Sequence, residues 1–309
     1  MNKKGGNYDV IIIGGGVAGL SAALWCDELK LSALILEKEA EFGGQLLRVY
    51  NAVENHLGIS AKNGKHLRDI FLEQTEKRKF VRRLQTEVVK VDVENKKVIL
   101  QNGDQLSAKA LIIATGVRRR KLNVENEDFY KGKGIIESGT KEQNAVAGKT
   151  VLIVGGGDAA IENSLILGET AKNVYVAHRR TQFRARKEFL ERAKNNPKIE
   201  FLTEITVQKL IGTKKIEAVE LKNIKTNQTQ KLQIDHLLIR IGVQPNTELF
   251  HEKLDFDKGE YLKINANCET NVKFVFAVGD VANQLSPTVS TAVGAGATAV
   301  KTILALLKF

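Results

Sequence analysis

The sequence predicts an α/β protein of two three-layer domains, and three observations carry that expectation. The chain has 309 residues, long for one hydrophobic core, because cores stop growing near roughly 250–300 residues. It is 43% hydrophobic and 27% charged, with 26 Gly and 3 Pro. That is a globular composition, rich in tight turns and poor in rigid linkers. One signal also occurs twice: a short apolar run, a glycine turn, a helical stretch and a second apolar run.

The first copy begins with residues 8–13, apolar and long enough for a buried strand. Gly14-Gly15-Gly16-Val17-Ala18-Gly19 follows, then helical character over 20–30, then a second strand at 33–36 ending at Glu37. The second copy has a strand at 151–154, Gly155-Gly156-Gly157-Asp158-Ala159-Ala160, a helix over 161–168 and a strand at 174–177 ending at His178-Arg179-Arg180. Strand, glycine turn, helix and parallel strand make the Rossmann-like, dinucleotide-binding fingerprint. The first glycine permits the tight turn and the second lets a pyrophosphate approach the backbone. A small third residue, Gly19 or Ala160, lets helix pack on strand. The helix N-terminus then offers free N–H groups to the phosphates.

The residues that end the second strands separate the two ligands. Glu37 lies 23 positions after Gly14. A carboxylate there accepts hydrogen bonds from an unphosphorylated ribose, as in FAD or NAD. His178 lies 23 positions after Gly155, with no acid but with Arg179, Arg180 and Arg184. Guanidinium forks suit a 2′-phosphate, so this copy reads as an NADPH site.

Further motifs carry a resemblance. Gly43-Gly44-Gln45-Leu46, Val53-Glu54-Asn55 with Gly58, Ala114-Thr115-Gly116 after an apolar strand, His178-Arg179-Arg180 with Phe183-Arg184-Ala185, and Phe276-Ala277-Val278-Gly279-Asp280-Val281 occur in this order. In combination they resemble the low-molecular-weight thioredoxin reductases over about residues 8–307. The resemblance implies FAD bound by two separated segments, 1–116 and 243–309, with an NADPH domain, 117–242, inserted between them. It also implies a homodimer and hydride transfer from NADPH to flavin N5. Carried over residue by residue, it assigns Gly14, Gly16, Val17, Ala18, Gly19, Glu37, Lys38, Gly44, Gln45, Leu46, Asn55, Val88, Ala114, Thr115, Gly116, Gly279 and Asp280 to FAD. Gly155, Gly157, Asp158, Ala159, His178, Arg179, Arg180 and Arg184 fall to NADPH. Where the family usually has Arg-Gln-Ala, this chain has Pro287-Thr288-Val289-Ser290 before an apparent C-terminal helix. Pro287 is tolerated in a first helical turn. Free N–H groups of Thr288 and Val289 are expected to face charge developing on the flavin.

One family feature is missing. Thioredoxin reductases carry a Cys-x-x-Cys about seventeen residues before the second glycine turn, where this chain has Ser138-Gly139-Thr140-Lys141. Its two cysteines, Cys26 and Cys268, stand 242 residues apart. Disulfide exchange needs a thiolate to attack and a second thiol to resolve, and serine replaces neither. Three readings follow: direct electron transfer from the flavin to a small-molecule or other non-dithiol acceptor; a ferredoxin or flavodoxin–NADP reductase of the thioredoxin-reductase-like type; and a non-enzymatic redox sensor. Tyr50, four residues after Leu46, stands where the second type places an aromatic near the flavin, whereas Val53-Glu54-Asn55 is closer to true thioredoxin reductases. Intact nucleotide elements speak against the third. The net charge of +11 suits an acidic protein partner or an anionic cofactor.

The sequence argues against several other classes. No nucleic-acid motif accompanies the charge. No run of 18 apolar residues predicts a membrane span, and the run at 10–13 is too short for a signal-peptide core, so a cytoplasmic location is expected. Neither cysteine has metal-type spacing. His56, His66, His236 and His251 are scattered and read as surface or structural residues. Glu137 and Lys141 flank the place of the missing dithiol.

Overall fold

A computed structural model describes residues 7–308. Residues 1–6, which include the start of the segment 1–116, and Phe309 lie outside the described residues. The chain opens with β1 (Asn7–Ile13), α1 (Val17–Glu28), β2 (Ala33–Leu36), α2 (Gly64–Glu76), β3 (Val81–Arg83), β4 (Val88–Asp92), β5 (Lys97–Leu100) and β6 (Gln105–Ile113). It leaves along β7 (Val117–Arg119). The middle holds β8 (Ile135–Ile136), α3 (Gly139–Glu142), β9 (Thr150–Gly155), α4 (Asp158–Gly168), β10 (Asn173–His178), α5 (Lys187–Lys194), β11 (Ile199–Thr203), β12 (Ile205–Ile211), β13 (Ala218–Asn223), β14 (Thr229–Gln233) and β15 (His236–Arg240). The last part has β16 (Val243–Pro245), β17 (Val275–Ala277) and α6 (Val289–Leu307). Two compact units result, one of Met1–Arg118 with Gln244–Phe309 and one of Arg119–Val243.

The discontinuous unit is built on a sheet ordered β3-β2-β1-β6-β5-β4, with β17 also paired to β6. β2, β1, β6 and β17 run parallel. Their continuous apolar runs are explained by burial on both faces. Val10 and Ile12 pack with α1 and α6 residues such as Ala22, Ala299 and Ile303. Ile11 and Ile13 face the opposite layer, with Val88, Val98 and Phe250.

The inserted unit repeats the plan with its own parts. Its parallel sheet is ordered β11-β10-β9-β15-β8. Val151, Ile153 and Val174 pack under α4 and α5, and Leu152, Val154 and Leu237 pack on the antiparallel meander β12–β13–β14 through Val207, Val219 and Leu221. The inserted unit therefore has helices on one face of a parallel sheet and an antiparallel meander on the other, whereas in the discontinuous unit the antiparallel β4 and β5 continue the main sheet from β6.

α6 is long and apolar enough to cross a membrane by length and composition. The helix runs unbroken through Gly294 and Gly296, and the second of these lies against α1. A Cβ on Gly296 would collide with backbone of α1 at Ala18 and Ala22, and Ser21 Oγ donates to Val293 carbonyl at 2.7 Å. α6 thus buries Ala292, Gly296, Ala299, Val300 and Ile303 against the domain core.

Candidate functional site: a cleft and two glycine turns

In the discontinuous unit, Gly14 has φ +110°, which an L side chain rarely adopts, and a Cβ there would strike the Ala114 carbonyl. A Cβ on Gly19 would strike the Gly14 carbonyl, whereas one on Gly16 would meet only Gly44, at 3.9 Å. The first two positions are thus closed by packing, whereas Gly16 leaves the helix N-terminus approachable. Gly16 caps α1 without a side-chain hydrogen bond, so first-turn N–H groups point outward unpaired.

Glu37 directly follows β2 and is 8% exposed. Its Oε2 accepts the Gly15 N–H at 2.8 Å and its Oε1 the Glu39 N–H at 2.9 Å. A carboxylate has about four lone-pair sites, so two remain for hydroxyl donors. From Glu37 a cleft of about 970 Å³ runs through this unit, at the upper end of ligand cavities. Gly14, Gly16, Val17, Ala18, Glu37, Lys38, Gly44, Gln45, Leu46, Val88, Ala114, Thr115, Gly116, Gly279, Asp280, Thr288 and Val289 all line it. Gly19 does not, because it lies beneath the turn. Asn55 does not either; it sits exposed in the loop between the bridged residues Val53 and Ala61.

Asp280 lines the cleft without a side-chain hydrogen bond among the described residues, and burial raises its carboxyl above the usual range. An acceptor in that state is matched by a ligand hydroxyl. The expected pair of free donors at Thr288 and Val289 is corrected. Thr288 is the N-cap, and its N–H already meets the Ser286 carbonyl at 2.9 Å and Thr291 Oγ1 at 3.2 Å. Pro287 lies outside the helix. Val289 is the first position whose N–H the capping box leaves open.

Three lining or supporting features were not singled out in the sequence. Arg68, 5% exposed, donates through Nη1 to Glu41 at 2.7 Å and to the Phe42 carbonyl at 3.2 Å, so it holds the 41–46 loop from below. Arg118 pairs with Glu248 and donates to Asn246 Oδ1 at 2.7 Å. Asn246 Nδ2 in turn donates to the Thr115 carbonyl at 2.7 Å. Besides an ion pair with the adjacent Asp69 at 2.7 Å, the contacts of Arg68 lie 26–27 residues away in sequence.

In the inserted unit Gly155 has φ +158° and a Cβ there would strike the Arg240 carbonyl, while Gly157 faces open space. Asp158, in the first turn of α4, accepts the Arg186 N–H at 2.7 Å. His178 packs its ring on Gly156, where a Cβ would collide with it. Burial first, then Arg179, Arg180 and Arg184, depress its pKa against the opposing Gln182 carbonyl. Arg179, Arg180 and Arg184 are exposed and make no ion pair among the described residues.

The place of the missing dithiol is occupied by backbone contacts. The Gly139 N–H donates to Asn163 Oδ1 at 2.6 Å, and the Ser138 N–H to Glu142 at 2.8 Å. Lys141 pairs with Glu137 at 2.8 Å. Both cysteines are buried in the discontinuous unit. Desolvation pushes the Cys26 thiol up to about 12 and raises Cys268 as well. No group of metal-ligating residues occurs among the described residues.

Two nested dinucleotide folds, one ending in a buried carboxylate and one in a basic loop, define an NAD(P)H-dependent flavoprotein oxidoreductase. The comparisons place it further. The chain belongs to the pyridine nucleotide-disulphide oxidoreductase family, which matches residues 8–297. It is 37% identical over 295 residues to a thioredoxin reductase of Streptomyces coelicolor, covering 94% of this chain and 91% of that one. It is 32% identical over 298 residues to the "34.2 kDa protein in rubredoxin operon" of Clostridium pasteurianum, covering 96% of both. The crystal structure of Lactococcus lactis thioredoxin reductase (FR conformation) superposes with TM-score 0.84 at 29% identity, over 98% of this chain and all of that one. The chain is thioredoxin-reductase-like, and its cofactors are FAD and NADPH. The cleft fits the first of these: Gly16 leaves the helix end open, Glu37 keeps acceptor capacity, and Asp280 lacks a donor.

Proposed function

We propose that this protein takes electrons from NADPH and passes them to an acceptor without a dithiol relay. The observation that carries the reading is the Ser138-Gly139-Thr140-Lys141 segment, together with two buried thiols elsewhere whose pKa values burial raises. FAD, when bound, supplies the two-electron chemistry between NADPH and the acceptor. In this reading the discontinuous unit is the FAD domain. The Gly14–Gly19 turn holds the pyrophosphate, Glu37 the ribose hydroxyls, the 44–46 turn with Ala114–Gly116 the walls, and Asp280 a hydroxyl farther along the cleft. The inserted unit is the NADPH domain, with Gly155, Gly157 and the first turn at Asp158-Ala159 on the pyrophosphate. Arg179, Arg180 and Arg184 meet the 2′-phosphate, and His178 braces the turn from behind.

The partner reading is a homodimer, in the cytoplasm, that meets an acidic electron-transfer protein. A relative encoded in a rubredoxin operon and a net charge of +11 support it, since complementary charge speeds encounter. Ferredoxin and flavodoxin are acceptors of the same kind. The test is NADPH turnover with rubredoxin, ferredoxin or flavodoxin against a quinone, each at rising salt. A protein acceptor predicts a rate that falls steeply with ionic strength. A rate with quinone alone, flat in salt, would replace the protein partner by a small-molecule acceptor.

A further inference from the structure

We infer that Leu57 and Leu285 form the apolar centre of a docking surface, at the rim of the cleft, for a small acidic electron-transfer protein. Such a surface rests on the partner reading proposed above. Leu57 is 98% and Leu285 96% exposed, while the next large apolar side chain among the described residues, Ile224, reaches 47%. Apolar side chains scattered singly over a surface need no explanation. These two are instead gathered by one element, since each stands beside a residue bonded to the first turn of α6. His56 Nδ1 shares a hydrogen bond with Ser290 Oγ at 3.0 Å, and Thr291 Oγ1 donates to the Ser286 carbonyl at 2.8 Å.

Both leucines are held out by anchored turns. Leu57 sits in a loop whose stem is closed by the Val53–Ala61 bridge, with N–H to carbonyl distances of 2.9 and 3.0 Å. Within it the Ile59 N–H bonds back to the His56 carbonyl at 3.3 Å, Gly58 turns with φ +98°, and the His56 ring packs edge-on to Phe71. Leu285 sits in a turn that Asn283 ties twice to Ser286. The Asn283 Oδ1 accepts the Ser286 N–H and its Nδ2 donates to the Ser286 carbonyl, both at 2.9 Å. A side chain displayed on a fixed backbone loses little freedom when a partner covers it.

The surroundings select the partner. Arg48 and Val49, before the first loop, and Pro287, Thr288 and Val289, after the second, line the cleft assigned to FAD. A protein seated on both leucines therefore stands at the mouth of that cleft, where an acceptor must come when no relay carries the electrons outward. Residues 48–66 hold three exposed cations, Arg48, Lys62 and Lys65, which make no ion pair among the described residues, and one carboxylate, Glu54. Residues 281–291 hold no charge. An apolar centre with a basic rim is complementary to an acidic partner. A second copy of this chain would set the same cations against each other across a two-fold axis. Two leucines suffice for the small, transient interfaces of electron transfer, which bury less than about 1,200 Å².

The test uses the flavin-loaded protein, with oxidised rubredoxin and flavodoxin as probes. Binding is followed by calorimetry, and NADPH turnover with each probe is set against turnover of a quinone. When Leu57→Ser and Leu285→Ser are combined, affinity for rubredoxin or flavodoxin falls about tenfold or more, while quinone turnover changes less than about twofold. Lys62→Gln with Lys65→Gln weakens binding less and flattens its salt dependence. Probes that bind the unaltered protein and lose less than about twofold on the leucine changes would overturn the docking surface and leave the partner reading standing. Probes that the unaltered protein neither binds nor reduces, while it reduces the quinone, would overturn both. Sedimentation tests the other occupant: a dimer that the leucine changes split into monomers assigns the surface to a second copy and overturns the inference.

Discussion

The two glycine turns share one scaffold and differ in what they hang on it. Counted from the first glycine, Gly14 and Gly155, the position 23 residues later holds Glu37, just after β2, in one and His178, the last residue of β10, in the other. Five residues further stand Phe42 and Phe183. Phe42 lies against Gly15, and Phe183 rests on the His178 ring at 5.0 Å between centroids. Six residues further, the N–H groups of Gly43 and Arg184 donate to the carbonyls of Gly15 and Gly156, at 2.9 and 2.7 Å. The backbone device that closes each turn is the same. In the first copy the closing residue is a glycine with φ +134° that leads into the cleft wall, and a carboxylate satisfies the Gly15 N–H. In the second it is an arginine, beside a ring that cannot accept from a ribose as a carboxylate does. The two copies thus share strand spacing and the closing hydrogen bond, and differ at the residue after 23 positions, Glu37 or His178, and at the closing residue, Gly43 or Arg184.

The largest test of that contrast is the basic loop. Changing Arg179 and Arg180 together to Ala should raise KM for NADPH by roughly 100-fold and leave KM for NADH nearly unchanged, because two charge-assisted phosphate contacts vanish. Equal losses for both nucleotides would break the contrast. On the acidic side, Glu37→Ala removes the acceptor for Gly15 and for the ribose. FAD affinity, read by flavin fluorescence on release, is expected to fall about tenfold, with NADPH affinity intact. A smaller effect is expected from the support beneath the cleft. Arg68→Met strips the buried contacts to Glu41 and Phe42. It should cost about 1–3 kcal/mol of unfolding stability by denaturant titration, with part of the FAD lost on dialysis. The smallest concerns chemistry that should not occur. With Cys26 near 12 and Cys268 also raised, iodoacetamide at pH 8 should label neither thiol in the native protein and both after unfolding. Rapid native labelling of either would reopen a single-cysteine route.

Much of this architecture was legible in the sequence for local reasons. A glycine turn needs particular φ angles, and strands buried on both faces need unbroken apolar runs, so short windows suffice. What lay outside those windows was less legible. Arg68 acts through contacts 26–27 residues away. The Thr288–Thr291 capping box lacks the Glu or Gln that marks such boxes, so the Thr288 N–H seemed free. Arg119 and Arg240 meet on the Glu137 carbonyl from strands 121 residues apart, which no spacing rule foretells. The expected C-terminal helix is present as α6, but that Gly296 is its point of contact with α1 could not be read from its own window.

The most direct test of the central claim is an anaerobic titration of the flavin-loaded protein with NADPH, followed by flavin absorbance. The account predicts complete bleaching at one NADPH per flavin and no uptake of a second equivalent, because no dithiol stands behind the cofactor. Uptake of two equivalents per flavin, or a flavin that NADPH does not bleach, would contradict it.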